Sequence, residues 1–176
     1  MATMNDIAST LGISKATVSK ALSGAADVSE TTRKSVLETA VELGYNRIPR
    51  SSQAPCIAIF IVHMAYERPD DFGYDLVTGF RKMAEPSGYE TKLIPLTMEM
   101  QKEIHYEEYM LKHNYVAAFF LGLSYFDPWL EEFKTSHTPA VLFDNKVTGN
   151  PNVVHVGIDN FEAFDIMVRR LKKMGH

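Results

Sequence analysis

The chain has 176 residues, enough for one or two domains, and its 45% hydrophobic and 23% charged residues are those of an ordinary globular protein. It contains no 18-residue apolar run, and its first ten residues, MATMNDIAST, carry no basic or apolar export pattern, so no membrane is expected as a partner and a cytoplasmic location is. The net charge of −4 argues against nucleic acid for the chain as a whole, but residues 1–50 hold six basic and five acidic side chains, hence +1, which leaves −5 for the rest. A head this weakly basic has modest affinity for phosphate, so useful binding to a polyanion would need two heads acting together.

Residues 4–22, MNDIASTLGISKATVSKAL, read as two short helices joined by a tight turn. Ala8 is small where a second helix must cross, Gly12 can adopt the left-handed conformation that ends a helix, and Val18 is the buried β-branched residue of the second helix. Ile7, Leu11, Ile13, Val18 and Leu22 pin the pair together. Thr3 and Asp6 have capping-box spacing, and Ser14 is a good N-cap for the second helix. That helix exposes Ser14, Lys15, Ala16, Thr17, Ser19 and Lys20, none of which the core requires. Hydroxyls and lysines at a helix N-terminus suit phosphate oxygens. Any small helical hairpin with a polar outer face fits the same residues, and on this stretch alone the two readings are level.

After a loop at residues 23–26, Ser29 caps a third helix with Thr32 at its third position. Val36, Leu37, Ala40, Val41 and Leu43 form its inward stripe, and Gly44 ends it. Arg33 and Lys34 in its first turn oppose the helix dipole, which either a nearby phosphate or plain solvation would explain.

The runs DIASTLGISKATVSKALSG and VSETTRKSVLETAVELGY resemble the DNA-binding head of the lactose-repressor (LacI) family, nearly end to end over residues 3–45. The resemblance implies a transcriptional regulator that binds a double-stranded DNA operator. It places Lys15 and Ala16 where the family chooses operator bases and Lys20 where the family usually has a base-reading arginine. Ser14, Thr17, Ser19, Ser29 and Thr32 fall at phosphate-contacting positions, Thr3 joins this DNA-facing set, and Ser23 replaces the usual asparagine. Two departures have physical consequences. Lysine at 20 cannot copy an arginine's bidentate grip on guanine, and Ala16 offers only apolar contact, for instance to a thymine methyl.

Residues 46–56, NRIPRSSQAPC, have linker composition. The family usually has a hinge helix here that begins P-N and carries a leucine wedge for the minor groove; this sequence has neither, and Pro49 and Pro55 disfavour a helix through the segment. Arg47 and Arg50 can lie against phosphate or in a narrow minor groove, or simply belong to a solvated tether. Cys56, the single cysteine, has no disulfide or metal-site partner and is read as a small hydrophobe.

From residue 57 strands alternate with helices: strands at 57–62, 89–96, 116–123, 139–143 and 153–157, and helices at 72–85, about 100–111, from 127, and from 159. The second of these helices has Met100, Ile104 and Leu111 on one face. Asp127 and Pro128 start the next by N-cap and N1 rules, with Phe126, Trp129, Leu130 and Phe133 on its core side. Asp159 and Asn160 cap the last, whose stripe is Phe161, Phe164, Val168 and Leu171. This pattern means a parallel, doubly wound sheet, in which ligands bind beyond the carboxyl ends of the strands. Those ends carry His63, Asp71, Phe72, Ser124, Tyr125 and Asp144, a mixture of rings, carboxylates and hydroxyls that suits a sugar or a small polar heterocycle. Ordinary loop surface is the competing reading for each of them.

The resemblance continues in IAIFIV, AAFFLGLS, TPAVLFDN and VHVGIDNFEAF, which are similar to the family's effector domain, a fold shared with periplasmic sugar-binding proteins. It places Phe72 where family members often stack a ring on the ligand. It implies a small-molecule effector, expected to be a sugar, a homodimer, no cofactor and no metal. The family runs on past G-H into a second lobe, so the chain is expected to be truncated, to leave apolar surface exposed, to bind effector poorly and to dimerise weakly.

The expected architecture is therefore α plus α/β. A three-helix helix-turn-helix head spans 1–45, an atypical linker 46–56, and the first lobe of an incomplete periplasmic-binding-protein-like domain 57–176. An enzyme or recombinase with such a head is the alternative. Against it, the ten glycines make no G-x-G-x-x-G or P-loop, no histidine pair has zincin spacing, no G-x-S-x-G elbow occurs, and the arginines beyond the linker are scattered. A head that serves protein contacts alone is a third class, which salt-dependent DNA binding separates.

Overall fold

The computed structural model describes residues 2–45 and 54–176; Arg47 and Arg50 lie outside the described residues. Three helices come first: α1 (Met4–Leu11), α2 (Lys15–Leu22) and α3 (Glu30–Glu42). Each begins where a short hydroxyl side chain accepts from a backbone N–H. Thr3 accepts from Asp6 in a reciprocated capping box, Ser14 from Thr17, and Ser29 from Thr32. Gly12 closes α1 at φ 65°, and its N–H donates to the Ala8 carbonyl. That left-handed residue turns the chain sharply enough for α2 to cross Ala8.

The apolar faces of these helices meet in one cluster of Ile7, Ala8, Val18, Ala21, Leu22, Val36, Leu37, Ala40 and Tyr45. Leu111, far along the chain, is buried in the same cluster. The helical part therefore packs against the sheet part. Beside that contact, the α-carbon of Gly44 faces the His137 ring, which stands 2.9 Å from where a β-carbon would lie.

The sheet part comprises β1 (Cys56–Ile61), α4 (Phe72–Ala84), β2 (Glu90–Pro95), α5 (Met98–Glu103), α6 (Tyr106–His113), β3 (Tyr115–Leu121), α7 (Trp129–Glu132), β4 (Ala140–Phe143), β5 (Val153–Val156) and α8 (Asn160–Lys173). The five strands pair in parallel in the order β2-β1-β3-β4-β5. That order reverses direction between β1 and β3, which makes the carboxyl ends of these two strands the flanks of a topological switch point.

Strand alternation divides the core. Ala58, Phe60, Val62, Ala118 and Phe120 face one side, with Trp129, Tyr106, Met110 and Phe133 laid over them. Ile59, Ile61, Phe119 and Leu121 face the other, with Val77 and Phe80 of α4. Phe60 stacks on Phe120 at 4.7 Å, and Trp129 meets Phe60 edge-on at 5.4 Å. Cys56 is half-buried at the edge of the first of these clusters, where burial pushes its thiol up.

Three expectations need correction. The helix expected over 100–111 is two helices, because Ile104 is extended and His105 caps a new start. Distant groups hold this break: Trp129 Nε1 donates to the Ile104 carbonyl at 2.9 Å, and the Tyr106 N–H donates to Glu132 at 2.7 Å. Asp127 does not cap α7, whose start has no side-chain cap; its buried carboxylate instead accepts from the Ser124 N–H at 2.6 Å and from Gln101 Nε2 at 2.5 Å. Phe126, expected on the core side, is 84% exposed, because the turn held by Asp127 points it outward. In α8 the expected Asp159 cap is present, while Phe161, Phe164, Val168 and Leu171 all lie in solvent.

Two outcomes follow from this packing. Trp129→Ala should cost about 3–5 kcal/mol in urea unfolding, since it removes a fully buried ring and strands the Ile104 carbonyl. His113 stacks beside Tyr109 and Tyr115, and burial, then Lys112 and Lys92, lower its affinity for a proton from the ordinary 6.5. The unfolded chain thus binds the extra proton first, so stability should drop as pH falls from about 6.5 towards the lower folded value. In His113→Gln that part of the pH slope should vanish from the unfolding midpoints.

Candidate nucleic-acid interface

The seam between α1 and α2 decides which side of α2 is free. Val18 is fully buried, and Ala21 and Leu22 are nearly so. Ala16, on the opposite side of the helix, is exposed, and so is Lys15, which starts the row that Val18 and Leu22 continue but stands at the open N-terminal end. Lys20 stands one turn further on, over Ala16 and Thr17. The structure thus leaves Lys15, Ala16 and Lys20 exposed on an outward strip that runs from the N-terminal end of α2 around its outer side.

Around the strip, the hydroxyls are already engaged in holding backbone. Ser14 Oγ accepts from the Thr17 N–H at 3.0 Å and lies 2.9 Å from Thr17 Oγ1. Ser29 Oγ accepts from the Thr32 N–H at 3.2 Å and lies 2.8 Å from Thr32 Oγ1. Thr3 Oγ1 donates to Asp6 at 2.8 Å, and the Thr3 hydroxyl and N–H together hold the Asp6 carboxyl below its usual range. Ser19 is half-buried within α2. Each of these oxygens keeps lone pairs or a rotatable proton for a further partner, so capping and phosphate contact are compatible.

The first turn of α2 contains no acid. Lys15 therefore adds its charge to the positive end of the helix, a small local cost that an anion would reverse. The other cations of the head are paired. Lys20 bonds Asp27, Arg33 lies 3.5 Å from Glu30, and Lys34 lies 3.8 Å from Glu38. Among the described residues of the head, Lys15 is the one basic side chain with no acidic partner.

Sequence reasoning missed two residues here. Arg33 is neither solvated nor turned to the outside. Its Nη1 donates to the Ala21 carbonyl at 3.3 Å and its Nη2 to the Ala25 carbonyl at 2.9 Å, which fastens the loop between α2 and α3 to the end of α2. Asp27, on that loop, takes the Lys20 ammonium. Their opposite charges seven residues apart were the only signal for the second contact, and nothing in the spacing marked the first.

The residues expected at an effector site sit at the carboxyl ends of adjacent strands. His63 follows β1 at φ 48°, Ser124 and Tyr125 follow β3, and Asp144 follows β4 at φ 58°. Gly122, at φ 82°, passes so close to the Val62 carbonyl that a β-carbon would lie 2.0 Å from that oxygen, which draws the loops after β1 and β3 together. Phe72 is 69% exposed at the start of α4, and its ring centroid is 6.3 Å from that of Phe143. Asp71 accepts from the Arg68 N–H at 2.8 Å and makes no side-chain cap to α4. A cleft of about 510 Å³ at this end is lined by His63, Met64, Tyr66, Leu96, Thr97 and Glu99, among others. Of the six expected residues only His63 reaches it. It lies over β1 and β2, whereas Ser124, Tyr125 and Asp144 lie over β3 and β4. Tyr66 belongs to the loop after β1; Glu99, in the first turn of α5 beyond β2, was not singled out by sequence reasoning.

No group of His, Cys, Asp and Glu among the described residues could hold a metal ion, and no helix among them is long and apolar enough to cross a membrane.

The family model "Bacterial regulatory proteins, lacI family" matches residues 3–47. Along its whole length the chain is similar to the transcriptional regulator MalR of Staphylococcus xylosus, at 28% identity over 54% of that protein. It is 30% identical to the ribose operon repressor of Bacillus subtilis, covering 87% of this chain and 46% of the repressor. Catabolite control protein A of Priestia megaterium is 29% identical over 99% of this chain and 52% of its own length. The chain thus spans about half the length of the curated relatives it matches. The fold matches that of a transcriptional regulator CelR solved with cellobiose, with a TM-score of 0.53 at 24% identity over the whole of this chain and 53% of that one. Residues 3–47 thus match the lacI family of bacterial regulatory proteins, and the whole chain is similar to about half the length of regulators and repressors of transcription.

Proposed function

We propose that this protein is a sequence-specific, non-catalytic regulator of transcription, acting in the cytoplasm as a homodimeric repressor of a double-stranded DNA operator. The observation that carries this reading is the outward strip of α2: Lys15 and Ala16 stand clear of a buried seam at the positive end of a capped helix. A helix about this size fits the major groove, where lysine can donate to guanine O6 or N7 and an alanine methyl can meet that of thymine. Ser14, Thr17, Ser19, Ser29, Thr32 and Thr3 then serve phosphates that set the register. Arg47 and Arg50 also contact DNA in this reading. The head is residues 1–45, the linker 46–56 and the lobe 57–176.

The lobe takes a small, hydroxyl-rich effector, such as a sugar, at the strand ends that carry His63, Asp71, Phe72, Ser124, Tyr125 and Asp144. Rings for flat apolar faces beside carboxylates and hydroxyls support that class. Effector binding shifts the placement of the two heads and so their joint affinity. An enzyme with a helix-turn-helix head is the second reading; the relatives bearing regulator and repressor names weigh against it.

Selection from a random duplex pool tests the function. Bound sequences should converge on two half-sites about one helical turn apart, with log K falling linearly against log[salt]. Lys15→Gln should change the base preferred within each half-site and weaken the original site by roughly 1–3 kcal/mol. An unaltered preference overturns the Lys15 assignment. With the selected duplex, a panel of neutral mono- and disaccharides should contain one that changes operator affinity by about 5–150-fold. Phe72→Ala together with Asp144→Ala should abolish that shift while leaving the affinity without sugar unchanged. A shift that survives both changes places the effector elsewhere.

A further inference from the structure

We propose that Asp27 is a specificity-determining residue of the head: it aims the Lys20 ammonium along the outward strip of α2 and cancels the pull that Lys20 would otherwise exert on any phosphate. This rests on the reading of α2 as a DNA-facing helix.

The ion pair joins two side chains that are each about half exposed, 55% for Lys20 and 57% for Asp27. A contact of that kind on a mobile loop would count for little. Here the loop is fastened from both sides. The Ala25 N–H donates to the Lys20 carbonyl at 3.0 Å and the Gly24 N–H to the Ala21 carbonyl at 3.2 Å, while Arg33 holds the Ala21 and Ala25 carbonyls from below. The backbone that carries Asp27 is therefore fixed to the residue it pairs with. Its carboxyl is held below the usual carboxylate range, chiefly by the Lys20 bond, so it stays charged at any working pH.

What this does for recognition follows from the chemistry of lysine. Its ammonium sits on a flexible stem and, unlike guanidinium, has no fixed fork with which to choose two acceptors at once. It carries three donors, so a bond to Asp27 leaves two for a guanine edge. The bond also supplies from outside the orientation that lysine lacks. At the same time the pair is neutral, so Lys20 adds little to sequence-independent attraction. Replacing Asp27 by a neutral residue takes the charge of residues 1–50 from +1 to +2. The generic contribution should rise while the aim is lost.

The experiment uses the full chain with two probes of equal length and composition: the duplex selected from the random pool and a scrambled one. With Asp27→Asn, affinity for the scrambled duplex should rise several-fold, its log K against log[salt] should steepen by about one, and the ratio of selected to scrambled affinity should fall about tenfold. Asp27→Glu should restore most of that ratio. In a Lys20→Ala background, Asp27→Asn should no longer alter the ratio, which a purely structural role of the loop would not predict. Thermal unfolding checks that each variant is folded. An unchanged ratio in Asp27→Asn, or an equal change with and without Lys20, overturns the proposal while the DNA-binding reading stands. If the unsubstituted chain binds neither duplex in dilute salt, the reading itself fails and the proposal with it.

Discussion

The crossing of two short helices at Ala8 is the constraint on which the rest of the head depends. Val18, Ala21 and Leu22 can be excluded from water only if α2 lies tight against α1, and it can do so only if residue 8 is small and residue 12 takes a left-handed turn. Once that seam is closed, the rotation of α2 about its axis has no freedom left. Lys15, Ala16 and Lys20 then face outward as a consequence of what faces inward. The hydroxyl caps at Thr3, Ser14 and Ser29 fix the ends of the helices to within a residue, so the strip is placed in height as well as in angle.

The same head is tied to the sheet. Leu111 of α6 sits in the head's own core, and on that helix Glu107 accepts from the N–H groups of His137 and Thr138 at 2.6 and 2.8 Å and from the Thr138 hydroxyl at 2.7 Å. Those two residues precede β4, and the His137 ring faces Gly44 at the end of α3. A continuous set of contacts therefore runs from the strands that flank the proposed effector loops, through α6, to the last turn of the head. A change in the tilt of α6 against the sheet cannot occur without a matching change where Leu111 enters the head, because a packed core has little slack to absorb it.

The legible parts of the sequence were those in which a local rule and the packing agree. The capping box, the glycine turn, the strands β1 and β3 and the order of strands and helices were all readable, since each depends on residues a few positions apart. The parts that were not depend on distant partners. The apolar positions 100, 104 and 111 look like one helical face; only Trp129 and Glu132 reveal why the chain is extended at Ile104. Asp127 before Pro128 looks like a cap, and it is buried instead because Gln101, 26 residues earlier, donates to it. At the strip the exposed residues were legible and their supports were not: Arg33 and Asp27 act across a loop whose path the sequence does not state. At the strand ends His63 and Asp144 were legible as positions, but not their left-handed backbone, because neither is a glycine.

The distribution of charge on the head gives a reason for its low net value. Each phosphate neutralised by a free cation strengthens binding to every duplex equally, so a strongly basic head gains affinity faster than it gains discrimination. Here Lys20, Arg33 and Lys34 each have an acidic neighbour within the head, and Lys15, at the positive end of α2, does not. On the proposed reading such a surface is weak against a generic polyanion and depends on base edges and on a second head to hold on. Two weak heads joined at a fixed spacing reject a duplex that satisfies only one of them, since the second contact is then lost entirely. On that reading a modest charge is part of the selectivity, and the acidic side chains that lower it serve recognition as much as the lysines do.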